Sequence, residues 1–485
     1  MSKKTFEQVI SEQGQLIYTN VGDSMYPLIQ PRDLLIIKKL TKPLKLGDIP
    51  LYKRDSGQYV LHRIVDINVN GYTMCGDNRF EAETGVAKKQ ILGILTGIVR
   101  NGETVSVEAA DAQSALKTAY DTVYLVSCAL NGQAPDIERC RQMSLPSVYR
   151  FSREHLLTAA VSFALEQVIE LPHAFDQAEK KAIRKLALLE IERSRIFRKF
   201  DSAGIWYLPL KGIVLKDCYP KAAMREMTDN DILIDSGKTV EVRTIMEKLG
   251  YSCDSFGEYH HDVYSKPPSV EFEMHREMLF EDDMPLYHVY YKDIGNRLIR
   301  DGGSARRLSA EDFYIHMLAH IYKHYSHAGT GLRSLADVYV YLRIFGRSMD
   351  RDYLNTELNK VDLVDFEARI SSLANKLFGS EKLNEDEEKE LSCFISFGNF
   401  GTAENAQYNK LSSELSGDDS VHSKMKHLLR RVFISGESLR KRYPFIYEHK
   451  ILYPLLIIYR PIKGVFTHPG TIISEMRFLK KFRKR

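Results

Sequence analysis

The 485 residues carry 68 basic and 64 acidic side chains for a formal charge of +4, with 44% hydrophobic and 27% charged residues. Such a composition belongs to a soluble globular chain long enough for two or three cores. The near-even charge balance calls for neither nucleic acid nor an anionic membrane as a partner. Six scattered cysteines, Cys75, Cys128, Cys140, Cys218, Cys253 and Cys393, include no Cys-x-x-Cys pair. That pattern points to reduced thiols and excludes a disulfide framework. The start Met1-Ser2-Lys3-Lys4 runs polar, and the longest apolar stretch, residues 451–459, is short and contains Pro454. No signal peptide and no membrane span are therefore expected, and the expected location is cytoplasmic.

Up to about residue 108, short β-branched runs alternate with turns, over residues 33–37, 59–67, 71–74 and 91–99. Asn70-Gly71 lies between two of them and marks a hairpin, because glycine tolerates positive φ. From residue 109 the apolar spacing becomes helical, over residues 112–130, 154–169 and 176–203. A mixed region at about 205–278 holds a second set of strands, and the remainder is again mostly helical. The expected architecture is multidomain. An all-β domain over 1–108 precedes an α+β domain over 109–485, whose catalytic strands at about 205–278 sit between helical flanks.

Two constellations carry chemistry. In the β unit, Gly22-Asp23-Ser24-Met25-Tyr26-Pro27 puts a serine in a turn, His62 lies in the apolar run Val60-Leu61-His62-Arg63-Ile64, and Asp77 follows Cys75-Gly76. A serine hydroxyl becomes a nucleophile when a base takes its proton and an acid orients that base. As residue types alone, a turn serine, a strand histidine and a turn aspartate occur in almost any domain. The order of the blocks Ser24-Met25-Tyr26-Pro27, Pro31-Arg32-Asp33-Leu34, Leu46-Gly47-Asp48-Ile49, His62-Arg63 and Gly76-Asp77-Asn78 resembles the S24/S26 serine peptidases, the signal-peptidase-like group. The resemblance covers about the first hundred residues and is closest to the members with histidine as base. It implies Ser24 as nucleophile, His62 as general base and Asp77 as the orienting acid. Arg32 stands where the family usually has glycine, and the membrane anchor of the preprotein-processing members has no counterpart here.

In the second constellation, Leu210-Lys211-Gly212 follows an apolar stretch, and Arg225 precedes Thr228-Asp229-Asn230-Asp231-Ile232-Leu233-Ile234. Residues two apart on a strand share a face, so Asp229 and Asp231 present paired carboxylates. Val270-Glu271-Phe272-Glu273-Met274-His275 alternates strictly, with Glu271, Glu273 and His275 opposite an apolar face. Carboxylates converging from two strands can hold two Mg²⁺ ions for phosphoryl or nucleotidyl transfer. Lys211-Gly212, Arg225, Asp229-Asn230-Asp231 and Glu273-Met274-His275 together resemble the polymerase-β-like nucleotidyltransferases, in particular a bacterial group with Lys-Gly where many members carry Gly-Ser. The resemblance implies Asp229 and Asp231 as metal ligands. Glu273 would be the third acid, next to the metal and activating the acceptor hydroxyl. Gly212 would let the backbone approach an NTP triphosphate, Lys211 would neutralise its charge, and Arg225 would bind the nucleotide. Asn230 replaces an apolar middle residue common in the family.

Further along, His316, His320 and His324 recur at spacings of four on one helical face. Zinc binding, a helix lining the nucleotide cleft and plain helix packing all fit that spacing, while the glutamate of a His-Glu-x-x-His protease motif is absent. Asp337 lies within an apolar frame that also resembles the family. Near the C-terminus, residues 438–444 and 452–455 do so too, and residues 478–485 form a basic amphipathic end. The expectation is a bifunctional protein. Its partners would be a nucleotide and a peptide or small-molecule acceptor, and its cofactor Mg²⁺. A non-catalytic peptide-binding N-terminal module, or a toxin-neutralising transferase acting on a protein, are the alternatives.

Overall fold

The computed structural model describes residues 4–257, 260–278, 284–398 and a few between 447 and 457. The motif at 438–444, residues 452 and 455 of that at 452–455 and the basic end at 478–485 lie outside the described residues. Among the described residues no helix is long and apolar enough to cross a membrane.

The N-terminal strands are β1 (Gln15–Thr19), β2 (Leu34–Lys38), β3 (Pro50–Lys53), β4 (Tyr59–Leu61), β5 (Arg63–Asn68), β6 (Gly71–Cys75), β7 (Ala82–Val86), β8 (Ile91–Arg100) and β9 (Glu103–Ser106). One antiparallel sheet runs β1-β2-β8-β3-β4 with β9 on β8, and a smaller one runs β5-β6-β7. Alternation along β2 sends Leu35 and Ile37 into a core shared with Leu28, Leu51 and Leu61, and the register shift between Leu95 and Gly97 on β8 lets both Leu95 and Ile98 reach it. The hairpin expected at Asn70-Gly71 joins β5 to β6. Its glycine has φ +119°, and a Cβ there would meet the Val86 carbonyl oxygen at 2.7 Å. Arg32 adopts φ +73°, the left-handed conformation that suits a glycine.

Ser106 caps the helix Val107–Asn131 by accepting from Ala109 N–H. From Thr118 onward that helix is buried nearly all round, the mark of a central rather than a surface helix. The helix expected over 154–169 is broken: Leu145–Glu154 ends, Leu156 turns at φ +52°, and the chain resumes as Thr158–Leu165. Polar Ser152 and Thr158 share a buried hydrogen bond at that turn, a local alternative to continuing the helix.

The second sheet contains β10 (Tyr207–Pro209), β11 (Asn230–Ile234), β12 (Ser252–Ser255), β13 (His261–Lys266) and β14 (Val270–His275), in the order β10-β11-β14-β13-β12. Only β11 and β14 pair in parallel, linked by a crossover that includes the helix Thr239–Lys248. One face of this sheet packs Ile232, Ile234, Val270, Phe272 and Met274 against Leu189, Ile196 and Phe200 of the helix His173–Ala203 and Val242 and Met246 of the crossover helix. Strand alternation therefore leaves the acidic residues on the other face.

The chain divides into two compact units, Met1–Ala319 with Leu332–Leu391, and His320–Gly331 with Ser392–Arg485. In the second unit Tyr325 packs on Phe394. The texture change near 108 is where strands give way to helix, and both sides of it lie in the first unit. Polar contacts bridge it: the Asp77 carbonyl accepts from Ser147 Oγ at 2.8 Å and from Arg150, and Arg63 binds Asp111 at 2.7 Å.

Candidate functional site

The β11–β14 register places Asp231 directly beside Glu273, and Asn230 beside Phe272. Asp229 and Asp231 thus share a face with Glu271, Glu273 and His275. Across β14, His261 of β13 stands opposite His275. One carboxylate oxygen from each of Asp229, Glu271 and Glu273 lies within 4.8 Å of the others, and so does a ligand atom from each of Asp231, Glu273 and His275.

These two aspartates do not have the same surroundings. Asp231 is buried; its Oδ1 accepts from Lys211 Nζ at 2.6 Å and lies 3.0 Å from His275 Nε2. Burial opposes its charge, but Lys211 and His275 outweigh burial and hold the carboxyl well below the usual aspartate range. Lys211 shows the converse: burial works against its ammonium, and Asp231 more than restores it, so its pKa is raised. Among the described residues no cation is bonded to Asp229 in this way. Burial first, then the Asp231 charge, push it up to about 6.

The residues expected to cradle the triphosphate have partners within the chain. Arg225 is buried and gives Nε and Nη2 to the two oxygens of Asp337, at 2.8 and 2.9 Å, while Tyr219 donates to the same carboxylate. A buried guanidinium needs a counter-ion of this kind, and the fork matches a carboxylate in bidentate fashion. Arg225, expected to bind nucleotide, gives two of its nitrogens to Asp337 and so anchors the site to the helix Leu332–Phe345. The need for glycine at 212 has the same origin, since a Cβ there would lie 2.4 Å from Arg225 Nη1. Lys211, at φ +47°, directs its ammonium to Asp231. Asn230 faces the core side, where Arg193 donates to its Oδ1 at 3.0 Å. An amide fits there because a buried arginine needs an acceptor.

His316 is buried, and among the described residues neither ring nitrogen is hydrogen-bonded. Burial, then the Lys211 charge, push it down to about 3, which leaves the ring neutral. The rings of His320 and His324 meet edge to face at 4.5 Å. Among the described residues, none of the three histidines joins a group with metal-ligand spacing. Sequence reading passed over His260 and His261. Their adjacency just before an alternating strand was the available signal. Burial lowers the pKa of His261.

In the N-terminal unit, Ser24 and His62 line one cavity of ≈ 950 Å³, together with Arg54, Tyr59, Arg79 and Glu83. Gly76 permits their approach: a Cβ there would lie 2.6 Å from the Ser24 carbonyl oxygen and 3.1 Å from His62 Nε2. Asn78 N–H donates to the same Ser24 carbonyl at 2.8 Å. The expectation that Asp77 orients His62 is corrected. Arg63 takes both oxygens of Asp77, at 2.9 and 2.8 Å. His62 Nδ1 instead lies 3.2 Å from Tyr52 Oη, which donates to Glu83 at 2.8 Å. Among the described residues no hydrogen bond joins Ser24 Oγ to His62. Burial, then the Arg54 charge, push His62 down to about 4, so its ring is neutral near pH 7.

No curated protein and no solved structure matches the chain. Residues 145–379 match the model of a family described as an uncharacterised nucleotidyltransferase. That segment includes Lys211, Asp229, Asp231 and Glu273 and excludes the Ser24 cavity, and the match supports nucleotidyl transfer by this part of the chain.

Proposed function

We propose that the acidic face of β11 and β14 transfers a nucleotidyl group from an NTP to an acceptor hydroxyl, with Mg²⁺ held by Asp229, Asp231 and Glu273. The observation that carries this reading is the parallel register setting Asp231 beside Glu273, with Asp229 two residues before. The donor set suits the ion: hard carboxylate oxygens are clustered, and burial and the Asp231 charge raise the Asp229 pKa, which a bound cation would offset. Bound there, Mg²⁺ would supply the charge that offsets the triphosphate and the departing pyrophosphate. Glu273 accepts the proton of the acceptor hydroxyl. The hydroxyl oxygen then bonds to the α-phosphorus as the α–β anhydride bond breaks and pyrophosphate leaves. Lys211, already on Asp231, offers its ammonium at the edge of the same face.

The N-terminal cavity we assign to an extended peptide, with Ser24 as nucleophile and His62 as base in the manner of signal-peptidase-like enzymes. A peptide-binding module that does not cleave is the second reading. It is favoured by the Tyr52 hydroxyl standing at His62 Nδ1, where an orienting carboxylate was expected. The acceptor is then a peptide delivered to the transferase, or a small molecule. Incubating the full chain with α-labelled NTPs and Mg²⁺ tests the first reading: label moving to a peptide, a small molecule or the protein supports it. No label transfer with any NTP refutes it. Cleavage of an unlabelled peptide library, lost in Ser24→Ala, separates the two readings of the N-terminal unit.

A further inference from the structure

We propose that His260, His261 and His275 form a second metal site beside the carboxylates, selective for a borderline transition ion such as Zn²⁺. One ring nitrogen from each of the three lies within 4.8 Å of the others. His261 and His275 face each other across the β13–β14 register, and His260 immediately precedes β13. His260 Nε2 and His261 Nδ1 stand 3.2 Å apart. Two nitrogens bound at zinc distance in a tetrahedron stand about 3.3 Å apart, so this pair already has the required bite.

His275 adds a third donor. Its Nε2 lies 3.0 Å from Asp231 Oδ1, which holds the ring proton on that nitrogen. The lone pair is then on Nδ1, a buried atom with no hydrogen-bond partner among the described residues, in a side chain only 3% exposed. A buried acceptor without a donor costs stability unless something else takes its lone pair, and a cation does so. The carboxylates support the same arrangement: Asp231 stands behind His275, and Glu273 lies 3.8 Å from His261 Nε2. Metal-binding histidines commonly have a carboxylate on the far ring nitrogen, which fixes the tautomer and strengthens the donor. Imidazole nitrogens select zinc and its neighbours over Mg²⁺, whereas Asp229, Glu271 and Glu273 offer oxygen alone. The two donor sets therefore divide the face between a nitrogen-rich and an oxygen-rich position.

The site stands apart from the transferase reading, because it is detected by metal binding and not by transfer of label. The full chain, stripped with chelator, is titrated with Co²⁺ as a spectroscopic substitute for Zn²⁺. The expected result is the visible absorption of nitrogen-ligated Co²⁺, without the near-ultraviolet band of thiolate ligation that the six cysteines would produce. Loss of a ligand in His260→Gln or His261→Gln should weaken binding by at least about tenfold, while Asp229→Asn leaves this spectrum and affinity unchanged. His260 lies outside β13, so His260→Gln carries the test should His261→Gln fail to fold. Absence of the nitrogen-type spectrum overturns the proposal. So does binding that falls in Asp229→Asn and persists in the histidine variants; His260 and His261 are then a hydrogen-bonded pair only.

Discussion

Replacing Asp229 by Asn should stabilise the metal-free protein while abolishing its transfer activity. In the fold the Asp229 carboxyl is raised from 3.8 to about 6, by burial first and by Asp231 second. A group with a raised folded pKa contributes its full stability below its unfolded pKa and loses it as the pH climbs through the folded value. At pH 8 the ionised side chain thus costs at most about 3 kcal/mol, at 1.36 kcal/mol per unit. Asp229 is partly exposed, so water screens it and about 1–2 kcal/mol is the working figure. Asparagine keeps the shape and removes the charge. For a segment the size of 145–379, that corresponds to a melting temperature higher by about 2–8 °C. Differential scanning calorimetry in chelator should show the gain at pH 8, shrinking as the pH falls through about 6 and gone only below the unfolded value of 3.8, where Asp229 is neutral in both states. Mg²⁺ should then raise the melting temperature of the wild type and leave Asp229→Asn unmoved. Asp231→Asn should behave oppositely. It removes the carboxylate that Lys211 and His275 share, and breaking a buried pair costs about 3–5 kcal/mol. An Asp229→Asn protein that melts at or below the wild-type temperature at pH 8 would refute the argument.

Asp229→Asn and Asp231→Asn should each eliminate Mg²⁺-dependent label transfer from NTP; Glu273→Gln should retain nucleotide binding by equilibrium dialysis and lose transfer. Gly212→Ala forces a methyl to 2.4 Å from Arg225 Nη1 and should cost about 1–3 kcal/mol in urea denaturation. Asp337→Asn strips the Arg225 counter-ion and should cost about 3–5 kcal/mol; equal stability of both variants with the wild type would remove Arg225 from its anchoring role. Because burial holds His62 near 4, peptide cleavage in the Ser24 cavity should persist at pH 5 and decline only towards pH 4. A pH–rate profile that breaks near 6.5 would show that this ring is not shielded.

Two short segments were enough to read the acidic face from sequence. Val270 to His275 alternates with period two and Thr228 to Ile234 reads as a strand by its apolar end, so the faces of Asp229, Asp231 and Glu273 follow from strand geometry, and the register sets Asp231 beside Glu273. Most strand positions before residue 108 were legible for the same reason, as was the hairpin at Asn70-Gly71. The partners of charged side chains were not, because a counter-ion is chosen by proximity in space. Arg225 found Asp337, 112 residues away, and Asp77 found Arg63, while Tyr52 took the place beside His62. Local pattern likewise suggested one helix over 154–169, where tertiary packing turns the chain at Leu156. The sequence by itself determined which residues lie on one face of each strand, since that depends only on backbone period. Only the tertiary structure decided how those faces meet: it brought His260, His261 and His275 together across β13 and β14, gave Lys211 to Asp231, and buried Asp229 beside the Asp231 charge. Ion pairing and desolvation are properties of a site's surroundings, and those surroundings come from segments far apart in the chain.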